Sequence, residues 1–525
     1  MAEGFLHHST LSDSIEEGLG HEYFDELLSR SFLQCAPNNE SLFVMHDLMS
    51  DLATFVASKF YVRLSNKTGE NIRKETLEKY RHMSFVHEYY VTYKKFEAFK
   101  RAKSLRTFLA ASVGEARSRQ HLSNKILVDL LPELQLLRVL SLSEFQIQEL
   151  PESIGTLRHL RYLNLSRTSI THLPETVCNL YNLETLIVLG CLSLATFPNN
   201  FLKLKNLRHL DIRDTPLLDQ MPLGIGELKG LQTLSKIIIG GENGFEIAKL
   251  KDFKNLHGKI SILGLDKVQN AIHVREANFS QKRFSDLEVV WSDVSDGFRN
   301  EMLEKEVLNE LKPRNDKLMQ LKIRSYKGLG FPNWIGDPLF LRLKHVTIHG
   351  CEKCVFLPPL AQLPSLKELF IGGLHGVEVV GLELFGTSLA FPSLEILSFE
   401  DMSGWKKWLT NNGVMFPCLK QLVIEDCPNL VEVTLEALPT LNVLNIINCD
   451  SGVLRRMVEI ASAVTNLKIR GVSRLNDLMW RGVTEFLGEV EVLSISDCNE
   501  IRCLWESEAV ASQERKRRIV VGATS

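Results

Sequence analysis

No uninterrupted apolar run in these 525 residues reaches the roughly 18 that a membrane-spanning helix needs, so a helical membrane anchor is not expected. The opening stretch Met1-Ala2-Glu3-Gly4-Phe5-Leu6-His7-His8 lacks the basic-then-apolar pattern of a secretory signal and turns acidic from Asp13 to Glu17. Charge of one sign is missing too. The 61 Lys and Arg nearly balance 64 Asp and Glu, for a formal net charge of −3, which excludes a general attraction to nucleic acid or anionic lipid. Cysteine is thin: ten residues are scattered along a long chain, which argues against a small disulfide-stapled domain and for reduced thiols inside a cell. Catalytic signatures are equally scarce. There is no Ser-His-Asp signature, no kinase motif and no Gly-rich phosphate loop ending in Gly-Lys-Ser or Gly-Lys-Thr, and Cys351-Glu352-Lys353-Cys354 has no second Cys or His pair to complete a metal site. The expectation is a soluble, cytoplasmic binding protein with no metal, no cofactor and no enzymatic activity of its own.

What the sequence does have is an internal repeat. Leu137-Arg138-Val139-Leu140-Ser141-Leu142 returns around Leu163, Leu186 and Leu210, at spacings of 23, 23 and 24 residues. The pairs Leu150-Pro151, Leu173-Pro174, Phe197-Pro198 and Met221-Pro222 keep the same period, and Ile154, Val177, Phe201 and Ile225 follow them as interior residues. Proline fixes φ and lacks an amide, which suits the turn out of each strand. The strand signature continues at Leu321, Val346, Leu369, Leu397, Leu422, Leu444, Leu467 and Leu493, with weaker copies at Leu234, Ile260 and Leu287. One coil cannot bury its apolar side alone, whereas stacked coils can. The fold class is therefore α/β: a leucine-rich-repeat solenoid, a horseshoe with a parallel sheet on its concave face. About fifteen coils at roughly 4.8 Å per step give an arc of about 70 Å, a size suited to a macromolecule. Five cysteines, Cys191, Cys351, Cys427, Cys449 and Cys498, share one phase of the repeat and are expected to be buried thiols.

The side chains flanking each strand are the candidate binding residues. Early coils offer Arg138, Arg161, Arg208, His209 and Arg213, and also Arg167; later ones offer Glu368, Glu395, Glu400, Asp401, Glu425, Asp426 and Asp497. A solvated face is the plain alternative for any one of them. Ahead of the repeats, Phe24, Leu27, Leu28 and Phe32 share a helical face, Leu42–Met45 reads as a strand, and His46–Phe60 is helical again through Leu48, Leu52, Phe55 and Val56. Helix, strand and helix fit the end of a winged-helix unit. The boundaries read as 1–60 for this winged-helix part, 61–104 for a connector, 105–505 for the solenoid and 506–525 for a disordered polar and basic tail.

Several motifs in fixed order resemble the plant nucleotide-binding leucine-rich-repeat disease-resistance proteins of the coiled-coil branch. They include Tyr23-Phe24-Asp25-Glu26-Leu27-Leu28-Ser29-Arg30-Ser31, Met45-His46-Asp47-Leu48, Arg81-His82-Met83-Ser84-Phe85 and Leu105-Arg106-Thr107-Phe108-Leu109. Phe331-Pro332-Asn333-Trp334-Ile335-Gly336-Asp337 and the run from Leu357 to Leu366 complete the series. The resemblance implies that Met45, His46 and Asp47 form a nucleotide-sensing motif whose histidine approaches the β-phosphate of ADP. The residues alone also allow His46 and Asp47 to be an ordinary helix start. ADP or ATP is expected only in a full-length family member, because the phosphate loop is absent here; the chain reads as a truncated product or incomplete gene model.

The resemblance further implies recognition of a pathogen effector or guarded host protein and, through the basic early coils, packing on the receptor's nucleotide-binding domain. No nucleic-acid partner is expected. A generic repeat scaffold or ubiquitin-ligase adaptor is the alternative, without an F-box to support it. Arg515-Lys516-Arg517-Arg518 reads as a solvated tail, with a nuclear-import signal as its second reading.

Overall fold

The computed structural model describes Glu3 and residues 13–36, 39–57, 59–64, 74–86, 90–111, 120–240, 244–292, 300–386, 390–410, 415–504 and 518–521. It divides into two compact units, Met1–Ser235 and Lys236–Ser525.

The first unit begins with helix α1 (Asp13–Ser29), an antiparallel hairpin of β1 (Leu33–Ala36) and β2 (Asn39–Met45), and helix α2 (Asp47–Ala57). Phe24 of α1 meets Phe43 of β2 edge to face at 4.8 Å between ring centres. Helix, strand and helix thus stand where the sequence pattern put them. An eight-stranded parallel sheet follows, running in order through Tyr61–Leu64, His82–Val86, Thr107–Ala111, Val139–Ser141, Tyr162–Asn164, Thr185–Ile187, His209–Asp211 and Thr233–Leu234. Leu140, Leu163, Leu186, Leu210 and Leu234 are paired in register, so the repeat markers coincide with the hydrogen-bonded ladder.

Two expectations are corrected here. The stretch 61–104 is no connector: Tyr61–Leu64 and His82–Val86 are the first strands of the sheet. Their interior is filled by Met83, Phe85, Phe96, Phe99 and Phe108 in place of leucines, with Phe85 against Phe96 at 5.0 Å and Phe108 at 5.2 Å, and the coil leading to Val139 is long. The prolines are also elsewhere than expected. Pro151 and Pro174 have extended backbone and open the short 3-10 turns Glu152–Thr156 and Glu175–Asn179, away from the strand ends. Ile154, Val177, Phe201 and Ile225 are buried as the repeat required.

The expected single sheet is interrupted at Ser235. In each earlier coil the amide beyond the strand donates to a main-chain carbonyl of the next, as Leu165 N does to Ile187 O at 2.8 Å and Val188 N to Asp211 O at 2.8 Å. Ile212 N instead donates to the Ser235 hydroxyl at 2.8 Å, so a side chain takes the place of the main chain and the ladder ends. In the second unit a twelve-stranded parallel sheet starts at Lys236–Ile238 and runs through His257–Leu263, Arg283–Val290, Gln320–Arg324, His345–His349, Glu368–Gly372, Ile396–Glu400, Gln421–Glu425, Val443–Ile447, Asn466–Arg470, Val492–Ser496 and Arg518–Val521. That last strand pairs with Val492–Ser496, which corrects the reading of 506–525 as wholly disordered tail. Residues 505–517, with most of the basic run, lie outside the described residues. Helices α3 (Ala271–Ala277) and α4 (Glu301–Glu310) occupy two of the connections. Both units are leucine-rich-repeat solenoids.

What leaves each strand is a residue with left-handed backbone. Glu144, Arg167, Gly190 and Asp214 occupy this position in the first unit, and Gly264, Ser325, Gly350, Gly373, Asp401, Asp426, Asn448, Gly471 and Asp497 in the second, all at φ between 49° and 80°. Asn, Asp and Gly dominate because they tolerate this conformation best. The repeated cysteine comes next, beneath the turn. Cys191 donates to Leu165 O at 3.1 Å, Cys427 to Glu425 O at 3.2 Å and Cys449 to Ile447 O at 3.2 Å. Burial pushes the thiols of Cys178 and Cys449 up to about 11 and that of Cys427 higher still. Thiolate reacts and thiol does not. Under native conditions a thiol reagent is therefore expected to label Cys35, Cys418 and Cys503 rapidly, since these are exposed, and Cys178, Cys191, Cys351, Cys354, Cys427 and Cys449 only after unfolding. Peptide mapping of the labelled sites checks this.

Candidate functional site

The sheet faces are the largest arrays of aligned exposed side chains. In a parallel ladder each strand position continues onto the same position of its neighbour, so residues alternate between core and face with a period of two. On the first sheet, the residues just before the strands are Arg81, Arg106, Arg138, Arg161, Glu184 and Arg208. They are joined by main-chain bonds such as Arg138 N to Arg106 O at 2.7 Å and Arg161 N to Arg138 O at 2.8 Å. Arg138, Arg161 and Arg208 thus share one row, as the sequence suggested. Glu184 interrupts it, with Arg161 Nη1 at 3.7 Å from Glu184 Oε1. His209 lies in the next row and shares a hydrogen bond with Thr233 at 3.1 Å.

Arg213 differs. Its Nε and Nη2 donate to Asp211 at 2.9 and 2.6 Å, so its charge is already met. Burial opposes ionisation of Asp211, but the bonds and charge of Arg213 more than offset it and hold the carboxyl below its ordinary range. Arg81 and Arg106 were missed in the sequence because spacings of 25 and 32 residues there hide the phase.

On the second sheet the acidic residues selected from sequence separate into three groups. Glu368 and Glu395 are partnered: His345 Nδ1 lies 3.0 Å from Glu368, and Lys367 and Lys420 each lie 2.7 Å from Glu395. The Lys367 and Lys420 bonds pull the Glu395 carboxyl down to about 2, so the bridge stays ionised until the pH falls well below the ordinary carboxylate range. Asp401 and Asp426, like Asp497, occupy the left-handed turn. Asp426 accepts from Asn448 Nδ2 at 2.6 Å, and Arg470 Nε donates to Asp497 at 2.8 Å. Backbone geometry accounts for an acid at these positions without any ligand. Glu400 and Glu425 remain, side by side in register on neighbouring strands.

The face is therefore mixed and not acidic as expected. Its central row carries Ser261, Glu288, Lys322, Thr347, Phe370, Ser398, Val423, Asn445, Lys468 and Ser494 in register, with Phe370 exposed between the charged ends.

Met45, His46 and Asp47 are exposed at the start of α2. His46 caps the helix: its carbonyl accepts from Ser50 N at 2.9 Å and its Nδ1 from Leu48 N at 3.3 Å. A ring nitrogen that accepts an amide carries no hydrogen, so the proton sits on Nε2, the atom left to donate outward. The alternative of a helix start is thus realised, and it is compatible with a donor to phosphate.

Two other sequence motifs turn out to be architectural. In Phe331-Pro332-Asn333-Trp334-Ile335-Gly336-Asp337 the Trp334 indole is buried and donates to Leu308 O at 3.1 Å, and a Cβ on Gly336 would lie 2.4 Å from Pro359 O. In the run 357–366, Leu357, Leu360, Ala361, Leu363 and Leu366 are core residues. A groove of about 1160 Å³ lies between α3, α4 and the Trp334 loop, crossed by the Arg275–Glu310 pair at 3.0 Å. Among the described residues no helix is long and apolar enough to cross a membrane, and no three His, Cys, Asp or Glu side chains gather as a metal set.

Residues 115–472 match the family described as leucine-rich repeat region, and residues 1–53 match the disease resistance protein winged helix domain. The disease resistance RPP13-like protein 1 of Arabidopsis thaliana is 37% identical over 468 residues, which cover 86% of this chain and 44% of that protein. Disease resistance protein RGA2 of Solanum bulbocastanum is 31% identical across 91% of this chain and 46% of its own length. An internalin of Listeria monocytogenes, of known structure, is 14% identical with a TM-score of 0.45, covering 74% of this chain and 96% of its own. The chain spans less than half the length of the two plant relatives. With helix, hairpin and helix followed by registered parallel strands, the chain belongs to the leucine-rich-repeat disease-resistance proteins, and the part of them that it covers is the winged-helix segment and the repeat region.

Proposed function

We propose that the chain is the recognition and autoinhibitory portion of a plant immune receptor, acting in the cytoplasm as a binder without catalysis of its own. The carrying observation is the registered central row of the second sheet, in which polar, charged and aromatic side chains follow one another on adjacent strands. Such a row suits an extended protein surface, here a pathogen effector or a guarded host protein, better than a metabolite. On the first sheet, Arg138, Arg161 and Arg208 serve contacts with the receptor's nucleotide-binding portion. Met45, His46 and Asp47 belong to its nucleotide-sensing side, with His46 Nε2 as donor to a phosphate of ADP bound by that portion.

The test is association of this chain with the part of the Arabidopsis relative that it does not cover. Changing Arg138, Arg161 and Arg208 together to Glu is expected to weaken that association by about a hundredfold or more, because a charge-paired interface contact typically contributes on the order of 2 kcal/mol. The effect should shrink as salt is raised. Equal retention of the variant and the unaltered chain on immobilised partner would refute the assignment of these arginines.

A further inference from the structure

The row of arginines already holds a carboxylate. Glu3 Oε1 accepts a hydrogen bond from the Thr107 hydroxyl and lies 3.8 Å from His82 Nδ1, while the Glu3 main-chain carbonyl accepts from Arg138 Nη1 at 2.7 Å. The Glu3 side chain is 13% exposed, and its Oε2 is buried with no hydrogen-bond partner among the described residues. Around it, Arg81, Arg106, Arg138 and Arg161 precede four consecutive strands, which sets like charges roughly 4.8 Å apart along the sheet. Side-by-side like charges on adjacent strands destabilise a sheet. Burial, then the nearby Arg106 and Arg161, lowers the proton affinity of Arg138, and Glu3 counters them; His82 is likewise held low by burial and by Arg106 and Arg81 against Glu3. One carboxylate, with half its acceptor capacity unused, is set against four guanidinium groups.

We infer that Arg81, Arg106, Arg138 and Arg161 form a carboxylate-binding ladder, that Glu3 is its resident intramolecular ligand, and that an acidic peptide segment is the class of partner that displaces it. Thr107 and His82 supply the neutral floor of the site, and the repeated arginines supply successive subsites at the spacing of the strands. Contact with Glu3 makes the ladder a latch: an acidic segment gains it only by releasing the amino-terminal residue. The inference stands on the ladder and Glu3 and does not depend on the receptor reading.

The test uses the full chain and fluorescein-labelled hexaglutamate, followed by anisotropy at low salt. Glu3→Gln is expected to bind the probe at least about tenfold more tightly than the unaltered chain, since a charged hydrogen-bonded competitor has been removed. Thr107→Val, which loosens Glu3 and leaves every arginine in place, is expected to shift affinity in the same direction. Arg106→Gln with Arg138→Gln, added to Glu3→Gln, should abolish the gain while the circular dichroism of the chain is retained. Unchanged affinity in both Glu3→Gln and Thr107→Val would overturn the latch, and tight binding by a folded Arg106→Gln, Arg138→Gln variant would overturn the ladder. Neither result bears on association with the nucleotide-binding portion, which is measured separately.

Discussion

Gly404→Ala is expected to destabilise the chain by about 3 kcal/mol or more, whereas Gly330→Ala changes it by no more than about 0.5 kcal/mol. A Cβ on Gly404 would sit 1.9 Å from His375 O and 2.9 Å from its carbonyl carbon, and these atoms are main chain of the preceding coil. They cannot rotate away as a side chain would. Relief requires the coils to separate, and the short pairing of Val379–Val380 with Lys407–Trp408 follows directly on both sides of this contact. Beneath it, Trp405 and Trp408 pack at 5.4 Å between ring centres and Phe399 meets Trp405 at 4.7 Å, so separation also exposes aromatic surface. Gly330 has nothing within 4 Å of its added Cβ and isolates the steric cause. Urea unfolding of the two variants and the unaltered chain measures the difference. Coincident midpoints would show that the coils are not held at this spacing.

Trp334→Ala is expected to cost about 3 to 5 kcal/mol, the usual toll of deleting a buried aromatic side chain. Its indole is 5% exposed and stands 5.9 Å from the Phe340 ring. The same change strips the partner from Leu308 O, at the end of α4, and an unmet buried carbonyl adds roughly 1 to 3 kcal/mol. Trp334→Phe separates the two contributions, since it keeps most of the ring and loses the N–H. It should recover the larger share of the loss. If phenylalanine and alanine proved equally damaging in the same urea experiment, the hydrogen bond and not the packing would be holding α4 to this loop.

Reading order and periodicity recovered much of the architecture. Leu140, Leu163, Leu186 and Leu210 are register partners, and so are Leu321, Val346, Leu369, Leu397, Leu422, Leu444, Leu467 and Leu493. A strict interior period leaves little freedom in where a strand can lie. The first two strands escaped because phenylalanine and methionine fill their interior and the intervening coils are of uneven length. The interruption at Ser235 escaped because a serine hydroxyl standing in for a carbonyl changes one hydrogen bond and leaves the apolar pattern intact. The surface was less legible. Position relative to a strand identified Arg138, Arg161 and Arg208 as one row. Sequence alone could not show that Asp211 occupies Arg213, that lysines flank Glu395, or that Glu3 reaches Thr107 and Arg138 from more than a hundred residues away. These are three-dimensional pairings with no period.

The left-handed residue after each strand divides the exposed surface into two kinds of column. At Asp401, Asp426, Asn448 and Asp497 the choice of side chain is restricted by backbone conformation, so a new chemical group there must first satisfy the turn. At Lys322, Thr347, Phe370, Val423 and Lys468 the backbone is ordinary strand, and almost any side chain can be installed without disturbing the coil beneath. The solenoid therefore offers its capacity for novelty unevenly: diversification runs along the strand centres, while the neighbouring turn column stays close to a three-letter vocabulary of Asn, Asp and Gly.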